Sequence, residues 1–411
     1  MTAARPIATA EAAGGLRPFR RAVFYIPGYD PMHPRRYREF YRTQGAAQAA
    51  VSGYDLVVRP LRGSGAFGWH VTAEMEGQPT EAEVRVLVWS DIVRGSMDRG
   101  IVATYGQLLR TGWIYLSSGA LCRLMRLRKG PMLAALYPVA MLLGQLGLAM
   151  LAGWGLARGL ALVVPPVAGG AAGLAAAWLV LHAFHRADQH LYAQYLMHDY
   201  AFSASGRGAY PPALEARIAD FRRTLNAALA GNADEVLVVG HSSGAHLAVS
   251  VLADLLREGG VQPGRVALLT LGHVVPMVSF LPHADRLRAD LHDMAAQSLM
   301  PWVDVTAPGD GCAFALCDPV AVTGVAPAVK HGPLVLSAAF TQTLSPEAWR
   351  RLRRRYFRLH FQYLCAFDRP GDYDYFRITA GPLSLAQRFA GRAPSKTRIE
   401  TPHSGYRSRT P

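Results

Sequence analysis

Cysteine is scarce in this chain. Cys122, Cys312, Cys317 and Cys365 are spread over 411 residues, too few and too scattered for a disulfide scaffold. Cys312 and Cys317 lie close enough to pair or to share a metal, yet no His/Cys set has ligand spacing around them. Free thiols in a reducing compartment are expected, and no metal site. The first sixteen residues, Met1 to Leu16, lack an apolar core, which argues against a signal peptide. No internal repeat is evident, which excludes a solenoid. Acidic charge is also in short supply: 29 Asp and Glu against 43 Lys and Arg leave a net charge of +14. Such a chain meets something acidic. Its arginines are dispersed or stand beside apolar segments, and no aromatic–basic RNA motif is present, so nucleic acid gives way to an anionic membrane surface as the expected partner.

Two stretches lack charge altogether. Pro131 to Ala157 is 27 residues without a formal charge and Gly159 to Phe184 is 26 more, divided by Arg158. Each is long enough to cross about 30 Å of hydrocarbon. The pattern predicts a helical hairpin, one span near 132–154 and one near 160–184, with the turn among Gly153, Gly155 and Gly159. Small residues such as Gly144, Gly147, Gly169, Gly170 and Gly173 allow close helix packing, and Pro138, Pro165 and Pro166 are tolerated as kinks. Arg123, Arg126, Arg128 and Lys129 precede the first span and Arg186 follows the second, so both ends are expected on the cytoplasmic side of the inner membrane. A re-entrant hairpin in one leaflet is the alternative, and pairing of two copies through the hairpin stays open.

The remaining segments alternate between strand and helix. Ala22 to Ile26 reads as a buried parallel strand closed by Pro27-Gly28-Tyr29-Asp30-Pro31, followed by a helix over Tyr37 to Ala50. Further strands are predicted at Asp55 to Leu61, Trp69 to Met75, Val84 to Trp89, Arg265 to Leu271 and Trp302 to Thr306. A loop is predicted over Asp199 to Pro212, and a helix over Ala213 to Ala230 with Leu214, Ile218, Phe221 and Leu225 on its apolar face. This alternation predicts an α/β domain with a mostly parallel sheet covered by helices. Its halves are residues 17–125 and 188–392, interrupted by the hairpin over 126–187. Residues 1–16 and the basic Ser/Thr/Pro-rich 393–411 are expected to be disordered tails.

One run carries chemistry. Val236-Leu-Val-Val leads into Gly240-His241-Ser242-Ser243-Gly244, and an amphipathic helix follows with Leu247, Val251, Leu252, Leu255 and Leu256. This is G-x-S-x-G in its strand–turn–helix setting. A serine hydroxyl is a poor nucleophile unless a sharp turn lifts it out of the sheet towards a base, and glycines two residues to either side keep side chains out of that turn. The chain here resembles the α/β-hydrolases, and within them the lipases and esterases. The likeness is specific at the elbow and in chain order, and holds elsewhere in outline. It implies a mostly parallel hydrolase-type sheet and a triad in the order Ser, acid, His. Downstream of Ser242, Asp310 in Ala-Pro-Gly-Asp-Gly-Cys312 is the candidate acid after a strand, with Asp318 its competitor and Asp304 placed mid-strand. His360, in His360-Phe-Gln-Tyr363, is similar to the His-x-x-Tyr of some lipases and is the candidate base. His331 is the rival; His403 falls in the presumed tail, and His241 and His246 are read as pocket residues.

The resemblance further implies an oxyanion hole from the backbone N–H of Ser243 and of the loop after the first strand, where Tyr29 and Gly28 are the candidates. That loop departs from the longer His-Gly-Gly pattern of many esterases. A triad needs neither metal nor organic cofactor. Trp349 to Arg358 mixes aromatics with six arginines and reads as a surface for anionic lipid or as a solvated helix face. These readings converge on a membrane-anchored serine hydrolase acting on a lipid or acyl ester, thioesters and amides sharing the same chemistry. Set against it are a non-catalytic membrane scaffold on the same fold and the regulatory part of a transport or envelope complex.

Overall fold

The computed structural model describes residues 17–61, 66–97 and 100–410, so the tail expected over residues 1–16 lies outside the described residues. Eight strands form one sheet in the order β2-β3-β4-β1-β5-β6-β7-β8, where β1 is Phe19–Ile26, β2 Asp55–Pro60, β3 Gly68–Met75, β4 Gln78–Val86, β5 Glu235–His241, β6 Val266–Leu271, β7 Trp302–Thr306 and β8 Leu334–Ser337. The sheet is mixed. β2, β3 and β4 pair antiparallel, and β4, β1, β5, β6, β7 and β8 pair parallel. The antiparallel part follows from Glu76-Gly77, both at positive φ, which close β3 onto β4 as a two-residue hairpin.

β5 lies centrally and every residue of it is buried. Its alternate side chains feed two cores. Leu237 and Val239 join Val23, Tyr25, Leu269 and Val305 on one face. Val236 and Val238 join Phe24, Ile26 and Leu268 on the other, under the elbow helix Gly244–Glu258 and the helix Pro212–Leu229. A strand apolar at every position is stable only with both faces covered, which places it mid-sheet.

The two charge-free stretches are helices, Lys129–Leu160 and Pro166–Arg186, each long and apolar enough to cross a membrane. They pack against each other at Gly153 and Gly173, where a Cβ on either would come within 2.6 Å of the other's carbonyl oxygen. Gly153 therefore lies inside the helix–helix contact, not in the turn. The first helix runs on to Leu160, and the turn falls before Pro165-Pro166, where proline opens the second helix. Most side chains of both helices face outward: Leu148, Leu151, Trp154, Val167, Leu174 and Leu179 are all exposed.

Three further departures from expectation stand out. Residues 90–127, unassigned in sequence, hold the helices Ser90–Met97, Ile101–Ser117 and Ala120–Leu127. Asp199 to Ala204, expected in a loop, end the helix Ala193–Ala204, because Met197 and Ala201 pack one face of it against the hairpin and the Ile101–Ser117 helix. The C-terminal tail is packed. Ile399 bridges Cys317, the Ser395 amide donates to Val335, the His403 amide donates to Val322, and the buried Arg288 donates to the Ser408 carbonyl at 2.6 Å. Backbone pairing supplies there what its polar composition could not signal.

Candidate active site

Ser242 stands at the carboxyl end of β5, between strand and elbow helix, with φ at +57°. A non-glycine residue in this region is strained and needs its surroundings to hold it. The Ser242 amide donates to Leu271 O at the end of β6 (2.9 Å). A Cβ at Gly240 would meet the elbow helix backbone at 2.7 Å, and one at Gly244 would collide with the carbonyl oxygens of Ile26 and Pro27. Gly28, in the loop after β1, lies so close that a Cβ would approach Ser242 Cβ to 2.9 Å and Oγ to 3.3 Å. The two glycines of the motif and Gly28 thus let three backbone segments meet around one serine. Ser243 occupies the N-cap position of the elbow helix without a side-chain cap, and the first amides of that helix have no acceptor within it and point their positive end at this place.

Asp310 and His360 meet. His360 Nδ1 lies 2.7 Å from Asp310 Oδ2, and both residues are buried. Asp310 follows β7 in a tight turn, its Oδ1 accepting from the Cys312 amide at 2.9 Å and its Oδ2 also accepting from Tyr363 O–H at 3.0 Å. Burial alone would raise its pKa, but the electrostatic attraction of the adjoining His360 ring and these hydrogen bonds together hold it below the usual value. With a carboxylate at Nδ1, the proton sits there and leaves Nε2 as the basic nitrogen. Nε2 is buried and has no hydrogen-bond partner among the described residues. Gly272, at φ +53°, makes room for this ring: a Cβ there would lie 3.2 Å from His360 Cε1 and 2.6 Å from Tyr363.

Ser242, Ser243, His360, Gly28 and Tyr29 all line one cavity of about 100 Å³. Its other walls are Tyr195, Leu196, Asp199 and Tyr200 from the helix Ala193–Ala204, Pro131 from the first turn of the hairpin, and Phe357 and Phe361 near the His360 ring. The Tyr195 hydroxyl donates to Tyr29 O and ties the β1 loop to this wall. His241 also lines the cavity, but its Nε2 lies 3.0 Å from the His360 carbonyl, and burial, with the neighbouring His360, depresses its pKa to about 3. It is a neutral packing partner. His246 points away from the cavity, bonded to the Tyr210 hydroxyl at 2.9 Å.

The rival residues go elsewhere. Asp318 caps a short helix through the amides of Val320 and Ala321 and pairs with Lys330, which removes it as a partner for His360. His331 is exposed and outside the cavity, its amide bonded to Ala295. Asp304 is buried in β7 against Thr270 and His273. The four cysteines are free. Donor atoms of Asp310, Cys312 and His360 lie within 4.8 Å of one another, a set that by type could hold a cation. However, both Asp310 oxygens already accept hydrogen bonds, and burial, reinforced by Asp310, raises the Cys312 thiol well above its usual pKa. Hydrogen-bonded pairing suits these residues better than ligation. Sequence reasoning missed Asp199, Tyr195 and Cys312 in the cavity; nothing in their local patterns distinguishes them. Tyr363 was legible as the tyrosine of His-x-x-Tyr, though not as a donor to Asp310.

No protein-family model, curated protein or solved structure matches the chain.

Proposed function

We propose that the chain is a membrane-anchored serine hydrolase of the α/β-hydrolase type, cleaving a lipid or acyl ester through an acyl-enzyme. The observation that carries this reading is the convergence on one cavity of a strained serine elbow and a buried His360–Asp310 pair whose Nε2 lacks a partner. The order of supply agrees: nucleophile after β5, acid after β7, base after β8.

In this mechanism Ser242 Oγ attacks the ester carbonyl as its proton passes to His360 Nε2. The C–Oγ bond forms, and the carbonyl oxygen becomes an oxyanion held by the amides of Ser243 and the Gly28–Tyr29 loop. The ester C–O bond then breaks, and the leaving alkoxide takes the proton from Nε2. Water, deprotonated by the same nitrogen, releases the acid and restores Ser242. Asp310 keeps Nδ1 protonated and stabilises the imidazolium; Tyr363 positions Asp310. In resting enzymes the Ser–His contact is commonly open and closes on substrate.

Membrane attachment rests on the outward-facing hairpin and on a surface absent from the sequence reading. The helix Ile101–Ser117 packs chiefly on the helix Ala193–Ala204 and reaches the first hairpin helix through Leu108 and Tyr105, whose O–H donates to Leu142 O at 3.0 Å. Its other side exposes Val102, Leu109, Trp113 and Leu116, one apolar stripe at helical spacing. Arg123, Arg126, Lys129 and Arg186 are exposed at the hairpin's base, where basic side chains meet lipid headgroups and favour a cytoplasmic hydrolase domain. Pro131 in the cavity wall brings the site to that same level.

A fluorophosphonate probe tests the chemistry. Covalent labelling that disappears in Ser242→Ala is expected. A folded protein that takes no label would leave a scaffold on a hydrolase-like fold.

A further inference from the structure

The cavity holds one polar group that the mechanism above does not use. Asp199 lies in the middle of the helix Ala193–Ala204 and lines the cavity with Ser242 and His360. The cavity's other carboxylate, Asp30, is occupied: Tyr37 O–H donates to it at 2.6 Å and the Met32 amide at 2.9 Å. Asp199 differs. Among the described residues its carboxyl group has no hydrogen bond and no ion pair, while the His360 ring and the hydroxyls of Tyr115, Tyr195 and Tyr200 lie within its electrostatic reach. Groups beside it are committed elsewhere, the Tyr195 hydroxyl to Tyr29 O and the His198 ring to Gln107 at 2.7 Å. Ser203, one turn further along the same helix, also lines the cavity and shares this face. Leu196, Pro131 and Met277 make the surroundings apolar.

A carboxyl group without a partner in an apolar wall is costly, and the burial raises its pKa to about 7. It therefore accepts a hydrogen bond at neutral pH in either protonation state and welcomes a cation when ionised. It repels a carboxylate or phosphate. The packing of the wall does not depend on it, since Met197, with Ala201 beside it, buries the helix's other face.

We propose that Asp199 is the recognition group of the substrate subsite: the ester taken by this site carries a hydrogen-bond donor, a hydroxyl or a protonated amine, a short reach from the scissile carbonyl, and Asp199 accepts from it. This rests on the hydrolase reading. The substrate class is then an acyl ester of a polyol or amino alcohol, and wholly apolar esters and esters with an anionic group at that place are poor substrates.

Paired butyrate esters test this on the full chain in detergent: 2-hydroxyethyl against n-propyl butyrate, and 2-(dimethylamino)ethyl against 3-methylbutyl butyrate. A hydrogen bond to a charged group is worth about 10-fold or more in kcat/KM. The wild type is expected to favour at least one donor ester by that factor. Preference for the hydroxyl member identifies a polyol ester, and preference for the amino member an amino-alcohol ester. Asp199→Val is expected to bring both ratios near one, chiefly through KM for the donor ester. Asp199→Asn, which keeps an acceptor and serves if the valine variant does not fold, is expected to keep the hydroxyl preference and lose the amine preference. Equal rates in the wild type, or ratios that survive both substitutions, overturn the proposal. A wild type that hydrolyses none of the four esters and takes no fluorophosphonate overturns the hydrolase reading and this inference together, whereas labelling with unchanged ratios sinks only the role of Asp199.

Discussion

At the residue scale, the site is a set of groups held in states they would not choose in water. Ser242 sits at positive φ, and the His360 ring keeps its Nε2 buried with no hydrogen-bond partner among the described residues. If this is the reacting pair, Asp310→Asn should lower kcat by about 10⁴-fold, because the amide no longer selects the tautomer that leaves Nε2 basic. Steady-state kinetics with a short-chain ester measures this, and a loss below tenfold would remove Asp310 from the mechanism. Tyr363 has a subtler part. Its hydroxyl donates to Asp310 and also accepts from the Ala307 amide at 2.9 Å. Tyr363→Phe leaves a buried amide and a carboxylate oxygen short of partners, which costs about 1–3 kcal/mol; chemical denaturation should read a loss in that range.

His246 reports on pH. Burial lowers its pKa to about 3 from an ordinary value near 6.5, so the unfolded chain binds a proton that the folded one refuses. Its contribution is complete above about pH 6.5 and is lost as pH falls towards 3. His246→Gln keeps a polar contact for Tyr210 and removes the titration. The melting temperature of the variant should fall less steeply than the wild type's between pH 6.5 and 4.5. Parallel curves would show that the folded ring protonates freely.

At the scale of elements, the hairpin is set by small residues at one crossing. Gly153 and Gly173 have no room for a Cβ, whereas Gly144 and Gly170 face open space. Gly173→Leu should force the two helices apart and Gly170→Leu should not. Crosslinking of cysteine pairs across the crossing distinguishes them, and equal crosslinking would mean that the helices do not meet there. The helix Ile101–Ser117 makes a second statement. Nitroxide labels at Leu109→Cys and Trp113→Cys in lipid vesicles should be relaxed by oxygen and shielded from a water-soluble nickel chelate. Relaxation by the chelate would return this face to water, and shielding from both reagents would mean protein covers it. The stripe went unread in sequence because Tyr105, Leu108, Ile114 and Tyr115 on the opposite side are also apolar. A helix apolar on two sides lacks the one-sided periodicity that announces amphipathic structure.

On the scale of the molecule, the sheet brings residues from β5, the β7 turn and a segment near 360 to one place, across 118 positions of chain from Ser242 to His360. Ser242 was legible because an elbow is local: strand, glycines and helix follow one another within fifteen residues. Asp310 and His360 were found only as the best of several candidates in chain order. Asp318 and His331 were nearly as good until the fold put Asp318 on Lys330 and left His331 in solvent. The same distance hid the tail, whose contacts with Cys317, Val322 and Val335 are backbone pairs that composition does not encode.

Determined by the sequence alone are the features that rest on local periodicity: the α/β alternation, the central apolar strand, the strained serine turn and two charge-free spans. Hydrophobic pattern and glycine placement act within a few residues of themselves, so they can be read in order along the chain. What the tertiary structure alone decided is which acid faces which imidazole, that Asp199 stands in the cavity with no hydrogen-bond partner among the described residues, and that a third apolar helix lies beside the hairpin. Each of these depends on burial and on neighbours distant in sequence, and a side chain's partners exist only once the sheet has closed around them.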